Sequence, residues 1–482
     1  MSDQNNSVFE QRVASLRELL DQNDLDALIV SHDDEYLSYE LNEDEERLKY
    51  ITGFSGSAGY AVITSNDLKI NEENIEINQD NTENGIVVDR DCAVFVDGRY
   101  VVQVKEQIDS DIFQDFDLAK VKPAKWISSV MPKNSTVGID INCVSYKEYI
   151  SIKNELGMNN INLVATENNL VDKIWTDKPA SVISEISIFP DEYNGCPSPQ
   201  KRQLIAQTLR DKDLDATVIC DPESICWLLN IRGKDRAYLP VINCKMVAYS
   251  NEALEWYINP NHFKDENLQD QLQEHIGHID IFPEEAFDDV LDRLCSSSCT
   301  VYVDPETTNA HVMTKLYSGG AKVSEGLGLC QMPKACKNHI EVAGEYKAHI
   351  KDGIAMCRFI SWLDNLTALD KPTDSDETFL RRVEGVDEAE LAARALSFRK
   401  VEAGFIEPSF ATISALGPNA AMCHYNHENE AAPRALGKDC LYLIDSGAHF
   451  IEGTTDIAFT EDVEARFKAY GWQVLRVESS ED

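Results

Sequence analysis

Basic side chains are scarce in this chain: 44 lysines and arginines stand against 84 aspartates and glutamates, for a formal net charge of −40. Such a surface repels phosphate backbones and anionic lipid headgroups, which sets nucleic acid and membranes aside as partners. Long apolar runs are lacking too, and the N-terminus MSDQNNSVFEQR has neither the basic n-region nor the apolar h-region of an export signal. Cysteine is plentiful, but signs of cysteine pairing are not. The 13 residues are odd in number, form no CxxC pair and sit mostly in apolar runs such as VIC (Cys220) and SICWLL (Cys226). They read as reduced, buried thiols of a cytoplasmic protein. Cys295 and Cys299, in CSSSC, have no histidine or second cysteine pair nearby with which to complete a metal site.

What is present is enough apolar material to fold. Hydrophobic residues make up 43% of 482 residues, too long a chain for one core, so about three domains are expected. The acidic run NEENIEINQDNTENG (71–85) has little apolar periodicity and reads as a solvated loop or hairpin insertion. The first two domains announce themselves as a repeat. RVASLRELLDQNDLDALIVS (12–31) matches RQLIAQTLRDKDLDATVIC (202–220), with LDALIVS and LDATVIC offset by 189 residues. Each copy reads as an amphipathic helix, a polar turn and an apolar strand, and each is followed by an aromatic-rich segment with a glycine. Two similar α/β domains are predicted, over 1–178 and 179–333. A third, α+β region over 334–460 opens with a long helix whose apolar positions Ala343, Tyr346, Ile350, Ile354, Cys357 and Ile360 recur at helical spacing. A second helix follows, with Asp387 as N-cap and Glu390 placed for a capping box. The strands SFATISALG, CLYLIDSG and HFIEGTTDIAF come after it.

The chemistry lies in those strands. A divalent ion that activates water needs hard oxygen ligands, and a pair of ions needs carboxylates able to bridge them. Asp445 ends an apolar strand, Ser446 and Gly447 turn the chain, HFI resumes a strand, and Glu452 and Gly453 turn it back toward Asp456. An antiparallel ribbon of this kind can bring two carboxylates eleven positions apart onto one face.

On these features the chain resembles the aminopeptidase P (Xaa-Pro aminopeptidase) family of creatinase-like, pita-bread metallopeptidases, in its three-domain form. The likeness spans about residues 8 to 460 and includes SHDDEYL (31–37), ERLKYITGFSGSAGYAVI (46–63), FVDGRYVVQVKEQID (95–109), ICWLLNIRG (225–233), the segment 332–364 and TISALGPNAAMCHY (412–425). It implies two creatinase N-terminal-like α/β domains followed by a partial pita-bread catalytic domain. It further implies that Asp445 and Asp456 are metal ligands and that His424 lines the active site. The implied reaction is hydrolysis by a metal-activated hydroxide of the bond before a proline in second position, with two Mn²⁺ ions, in a homodimer acting on short peptides. His427 and His449 fall at no ligand position and are expected at the surface or on a strand surface. Arg99 and Tyr100, in DGRY, read as packing and interdomain residues.

The resemblance calls for three more ligands of five, one histidine and two glutamates, downstream of the DSG…GTTD element. Residues 461–482 hold no histidine, so weak metal binding and doubtful activity are expected of this chain, and a non-catalytic dimerising or regulatory protein is the alternative. That tail also resembles, over fewer than thirty residues, a helix–strand segment of transketolases, without a cofactor-binding motif.

Overall fold

The computed structural model describes residues 2–66, 88–264, 267–368, 376–429, 432–438 and 440–454. The acidic run at 71–85, Asp456 and the tail 461–482 lie outside the described residues.

The repeat in the sequence becomes a repeat of topology. The first sheet contains β1 (Ala27–Ser31), β2 (Gly59–Thr64), β3 (Cys92–Val96), β4 (Phe113–Asp117), β5 (Thr136–Ile139) and β6 (Asn162–Ala165), in the order β4-β3-β2-β1-β5-β6. The next stretch of chain adds β7 (Ser187–Ile188), β8 (Ala216–Ile219), β9 (Ile231–Arg232), β10 (Cys244–Tyr249), β11 (Leu254–Ile258), β12 (Asp280–Pro283), β13 (Thr300–Val303) and β14 (Lys322–Glu325). Its main sheet runs β12-β11-β10-β8-β13-β14, and β7 pairs with β9 beside it. Each sheet has two antiparallel pairings at its centre and parallel pairings toward both edges, in the same order. The LDA segments of the two copies place Ala27 and Ala216 as the first residues of equivalent strands, β1 and β8.

Unbroken apolar strands follow from cover on both faces. In β1, Leu28 and Val30 pack with Leu16 and Leu20 on one side, while Ala27 and Ile29 pack with Trp126 and Ile127 on the other. After the helix Pro222–Leu229, which Asn230 ends in a left-handed conformation, the chain passes through β9 and a loop before β10 begins at Cys244.

The two lobes are joined by backbone hydrogen bonds such as Tyr146 N–H to the Thr308 carbonyl at 3.0 Å, by Asn309 Nδ2 to the Glu35 carbonyl at 3.0 Å, and by a buried cation. The Arg236 guanidinium, 1% exposed, ion-pairs with Asp34 and Glu45 of the first lobe and donates to the Glu40 carbonyl at 3.0 Å. Asp34, Glu35 and Glu45 are close enough together to suggest a cation site, but Arg236 and Arg47 already occupy it. The SHDDEYL motif thus serves lobe docking.

The long helix predicted for the third region spans His339–Thr367, started by a complete capping box between Asn338 and Glu341. Its buried side is not the predicted one. Gly344, Ala348, Ala355 and Phe359 face inward, whereas Tyr346, Ile350, Ile354 and Ile360 are 42–63% exposed. The helix carries two stripes, and the one with small residues wins because the chain behind it approaches closely: a Cβ on Gly344 would sit 1.9 Å from the Glu452 carbonyl oxygen. On the helix Glu388–Arg399, Asp387 caps the Glu390 N–H, but the Glu390 carboxylate turns to Arg394, so only half of that box forms. Two small antiparallel assemblies finish the described chain. One pairs β16 (Ile413–Leu416) with β17 (Tyr442–Asp445). The other orders β15 (Phe405–Pro408), β18 (Ala448–Phe450) and β19 (Gly453–Thr454) as β15-β18-β19. No helix among the described residues is long and apolar enough to cross a membrane.

Candidate active site

Asp445 closes β17 opposite Ile413, and Ser446 and Gly447 hand the chain to β18, which returns through a two-residue turn into β19. The local path is the one the DSG…GTTD spacing predicts, except that β17 and β18 belong to different ribbons. The Asp445 side chain is exposed and makes no hydrogen bond or ion pair among the described residues.

It borders a cavity of about 500 Å³ where all three parts of the chain meet. Tyr39, Ser57 and Tyr100 come from the first lobe, Tyr238 and Leu239 from the second, and His424 and Asp445 from the third. The His424 ring stands edge-on to Tyr100, with Nδ1 2.8 Å from the Tyr100 phenol oxygen, which in turn lies 2.5 Å from Ser57 Oγ. Burial and then the Arg99 charge lower the His424 pKa, opposed by Asp97 and Asp445, so its ring is held toward the neutral form. Arg99 donates to Asp97 through three side-chain contacts, two from Nε at 3.0 Å and one from Nη2 at 2.6 Å. Tyr100 therefore does more than pack between domains: it borders the cavity and hydrogen-bonds the histidine.

One helix fixes both functional segments. At its start, buried Glu388 accepts from Leu416 N–H at 2.7 Å, Asn419 Nδ2 at 2.9 Å, the Tyr425 hydroxyl at 2.7 Å and Arg434 N–H at 2.8 Å, so four donors tie down the loop carrying His424. A carboxylate at a helix N-terminus is also favoured by the helix dipole. At its end, buried Arg399 grips Asp352 at 2.6 Å and reaches both the hydroxyl and, at 3.2 Å, the carbonyl of Ser446, the residue after Asp445. His427, expected at the surface, is only 8% exposed, and its Nδ1 has no partner among the described residues. It lies on the short 3-10 turn His427–Asn429, within the loop that Glu388 secures between Tyr425 and Arg434. His449 stays on its strand, half-buried, with Nε2 2.9 Å from the Tyr238 carbonyl.

Among the described residues Asp445 offers the cavity an exposed carboxylate without a hydrogen-bond or ion-pair partner, a hard oxygen donor of the kind a divalent cation takes. Replacing Tyr100 by phenylalanine keeps the ring packing and removes the hydroxyl from His424. A net hydrogen bond is worth about 1 kcal/mol, so turnover should fall by about five- to tenfold with KM nearly unchanged. A kcat within twofold of the parent, measured on the same peptide, would remove Tyr100 from the site.

The comparisons with known proteins converge. Models of the creatinase/prolidase N-terminal domain match residues 12–82 and 177–341, and the model of metallopeptidase family M24 matches 343–470, ten residues into the segment that resembles transketolases. The chain is 30% identical over 474 residues to the Xaa-Pro aminopeptidase ApepP of Drosophila melanogaster, covering 95% of this chain and 70% of that protein. It is 28% identical over 486 residues to aminopeptidase P1 of Arabidopsis thaliana, covering 93% and 70%. A probable Xaa-Pro aminopeptidase P of Talaromyces marneffei is 30% identical, with 93% of this chain and 64% of that protein covered, so the chain spans about two thirds of the length of these relatives. Its fold superimposes on the X-prolyl aminopeptidase of Caenorhabditis elegans, described as a cytosolic enzyme with a di-nuclear active site, with a TM-score of 0.79 at 24% identity over 92% of this chain and 68% of that one. With the DSG element, the paired N-terminal lobes and a relative of this identity along nearly the whole chain, the protein belongs to the Xaa-Pro aminopeptidase family of metallopeptidases.

Proposed function

We propose that the cavity bordered by Asp445 and His424 is a metallo-aminopeptidase site that releases the first residue of short peptides whose second residue is proline. The observation that carries this reading is the unpartnered Asp445 carboxylate sharing one cavity with a histidine held by a tyrosine from another lobe. Asp445 would hold a divalent ion, Mn²⁺ on the family resemblance, with Asp456 as its partner; the metal would polarise the scissile carbonyl and lower the pKa of water.

The chain's own residues supply the rest. Glu40 and Glu223 border the same cavity as Asp445, an acidic lining that suits the ammonium of a free amino terminus. When the Tyr100 hydroxyl donates to His424 Nδ1, the proton of the neutral ring resides on Nε2, the form that donates to negative charge developing on the carbonyl oxygen. A cavity of about 500 Å³ walled by two N-terminal lobes admits a few residues and excludes folded protein.

The test is release of the first residue from Xaa-Pro peptides on addition of Mn²⁺. Turnover that depends on the metal, stops with a chelator and vanishes when alanine replaces proline is the expected result; no release, or equal release from both peptides, overturns the reading. We also read the protein as cytoplasmic and homodimeric. All 13 cysteines are free thiols, which supports a reducing compartment, and the dimer rests on the family resemblance. A sedimentation coefficient of a single chain would refute the dimer.

A further inference from the structure

A second cavity, of about 290 Å³, opens between the second lobe and the long helix, and shares Glu223 and Leu239 with the first. On its wall, Arg232 at the end of β9 lays its guanidinium 3.7 Å from the centroid of Phe189, which stacks in turn on Tyr193. Among the described residues the guanidinium has no hydrogen-bond acceptor and no carboxylate within ion-pair distance, although the chain carries 84 acidic residues. Burial pushes the Arg232 pKa down to about 10, with Cys226 and Glu407 opposing from further off. Lys201 adds positive charge on the same wall: its ammonium donates to the Trp227 carbonyl at 2.9 Å and Asn230 Oδ1 at 2.6 Å, and has no ion pair among the described residues. Two of the glutamates that line this cavity are already used, Glu341 in the cap of the long helix and Glu452 with Lys351 at 2.7 Å.

An arginine that is partly buried, oriented by stacking and without an anion among the described residues is prepared for a planar carboxylate, which its two parallel N–H groups match. We propose that this second cavity is a carboxylate subsite, in which Arg232 receives the C-terminal carboxylate of a short peptide whose amino end lies in the first cavity. The two cavities adjoin at Glu223 and Leu239, and a peptide that reaches from the first into the second would be preferred with a free C-terminus over a longer or amidated one. The inference rests on the aminopeptidase reading for the end of the peptide that enters first.

Binding, which needs no turnover, tests it. Calorimetry of the full chain with the tripeptide Ala-Pro-Ala as free acid and as C-terminal amide should show the acid binding about tenfold tighter. Arg232→Gln should bring the acid to the affinity of the amide, and Arg232→Lys, which keeps the charge and loses the fork, should fall between. Equal affinities in the parent chain, or a preference that survives Arg232→Gln, would overturn the subsite. Sodium acetate competing as tightly as the tripeptide acid would overturn the spanning peptide in favour of a free carboxylate. A chain that releases no first residue can still show the Arg232-dependent preference, so failure of the peptidase reading and failure of the subsite give different results.

Discussion

Asp445→Ala is expected to lower Mn²⁺-dependent release of the first residue by about 10²- to 10⁴-fold, the several kcal/mol that a metal ligand's charge contributes to the transition state. Stability should hardly change. The side chain is exposed and takes part in no hydrogen bond or ion pair among the described residues, while the pairing of Asp445 with Ile413 is made by the backbone and survives the substitution. A surface substitution of this kind shifts stability by about 0.5 kcal/mol or less. The pair of measurements separates the two roles a carboxylate at a strand end can have. Activity within twofold of the parent would refute Asp445 as a ligand, and a large fall in melting temperature would show that it serves the fold instead.

How much of this could be read from the chain depends on whether a residue's role is local. The repeat was legible because helix, turn and strand are set by near neighbours, and LDALIVS and LDATVIC do begin equivalent strands. The turn after Asp445 was legible for the same reason. The burial of the long helix was not: two stripes at helical spacing compete on it, and the more apolar one is the exposed one because close backbone approach demands Gly344 and Ala348. The residues that hold the site were missed as well. Glu388 and Arg399 look like ordinary helix charges, yet they lie on one stripe with Leu391, Ala392 and Ala395, all buried. A charged residue at each end of an apolar stripe was the available signal, since burial of a charge demands partners that only the folded chain supplies. Tyr100 gave no signal at all beyond its motif, because its partner His424 is 324 residues away.

The same reasoning makes Arg236 a structural residue of large expected effect. Arg236→Ala should destabilise the docking of the two lobes by about 3–5 kcal/mol, the cost of leaving buried carboxylates without their cation. Asp34 would keep its hydrogen bonds from the backbone N–H of Ser38 at 2.7 Å and Tyr36 at 3.2 Å, and Glu45 the one from Asn42 at 2.8 Å, but their charges would face each other unneutralised. Burial already raises the Glu45 pKa, against the pull of Arg236, so removing the arginine raises it further. A carboxylate whose pKa is higher in the folded than in the unfolded state binds protons preferentially when folded, and it stabilises the fold as pH falls through that raised value. The deficit of Arg236→Ala should therefore shrink between pH 7.5 and pH 5.5. Urea unfolding followed by tryptophan fluorescence reads this as the displacement of the first transition, since several domains need not unfold together. A displacement below 1 kcal/mol at pH 7.5, or one that grows on acidification, would refute the buried triad as the lock between the lobes. Replacing all three charges together, Arg236→Met with Asp34→Asn and Glu45→Gln, should recover part of the loss, because no charge is left to desolvate and the amide oxygens still accept from the Ser38, Tyr36 and Asn42 N–H groups.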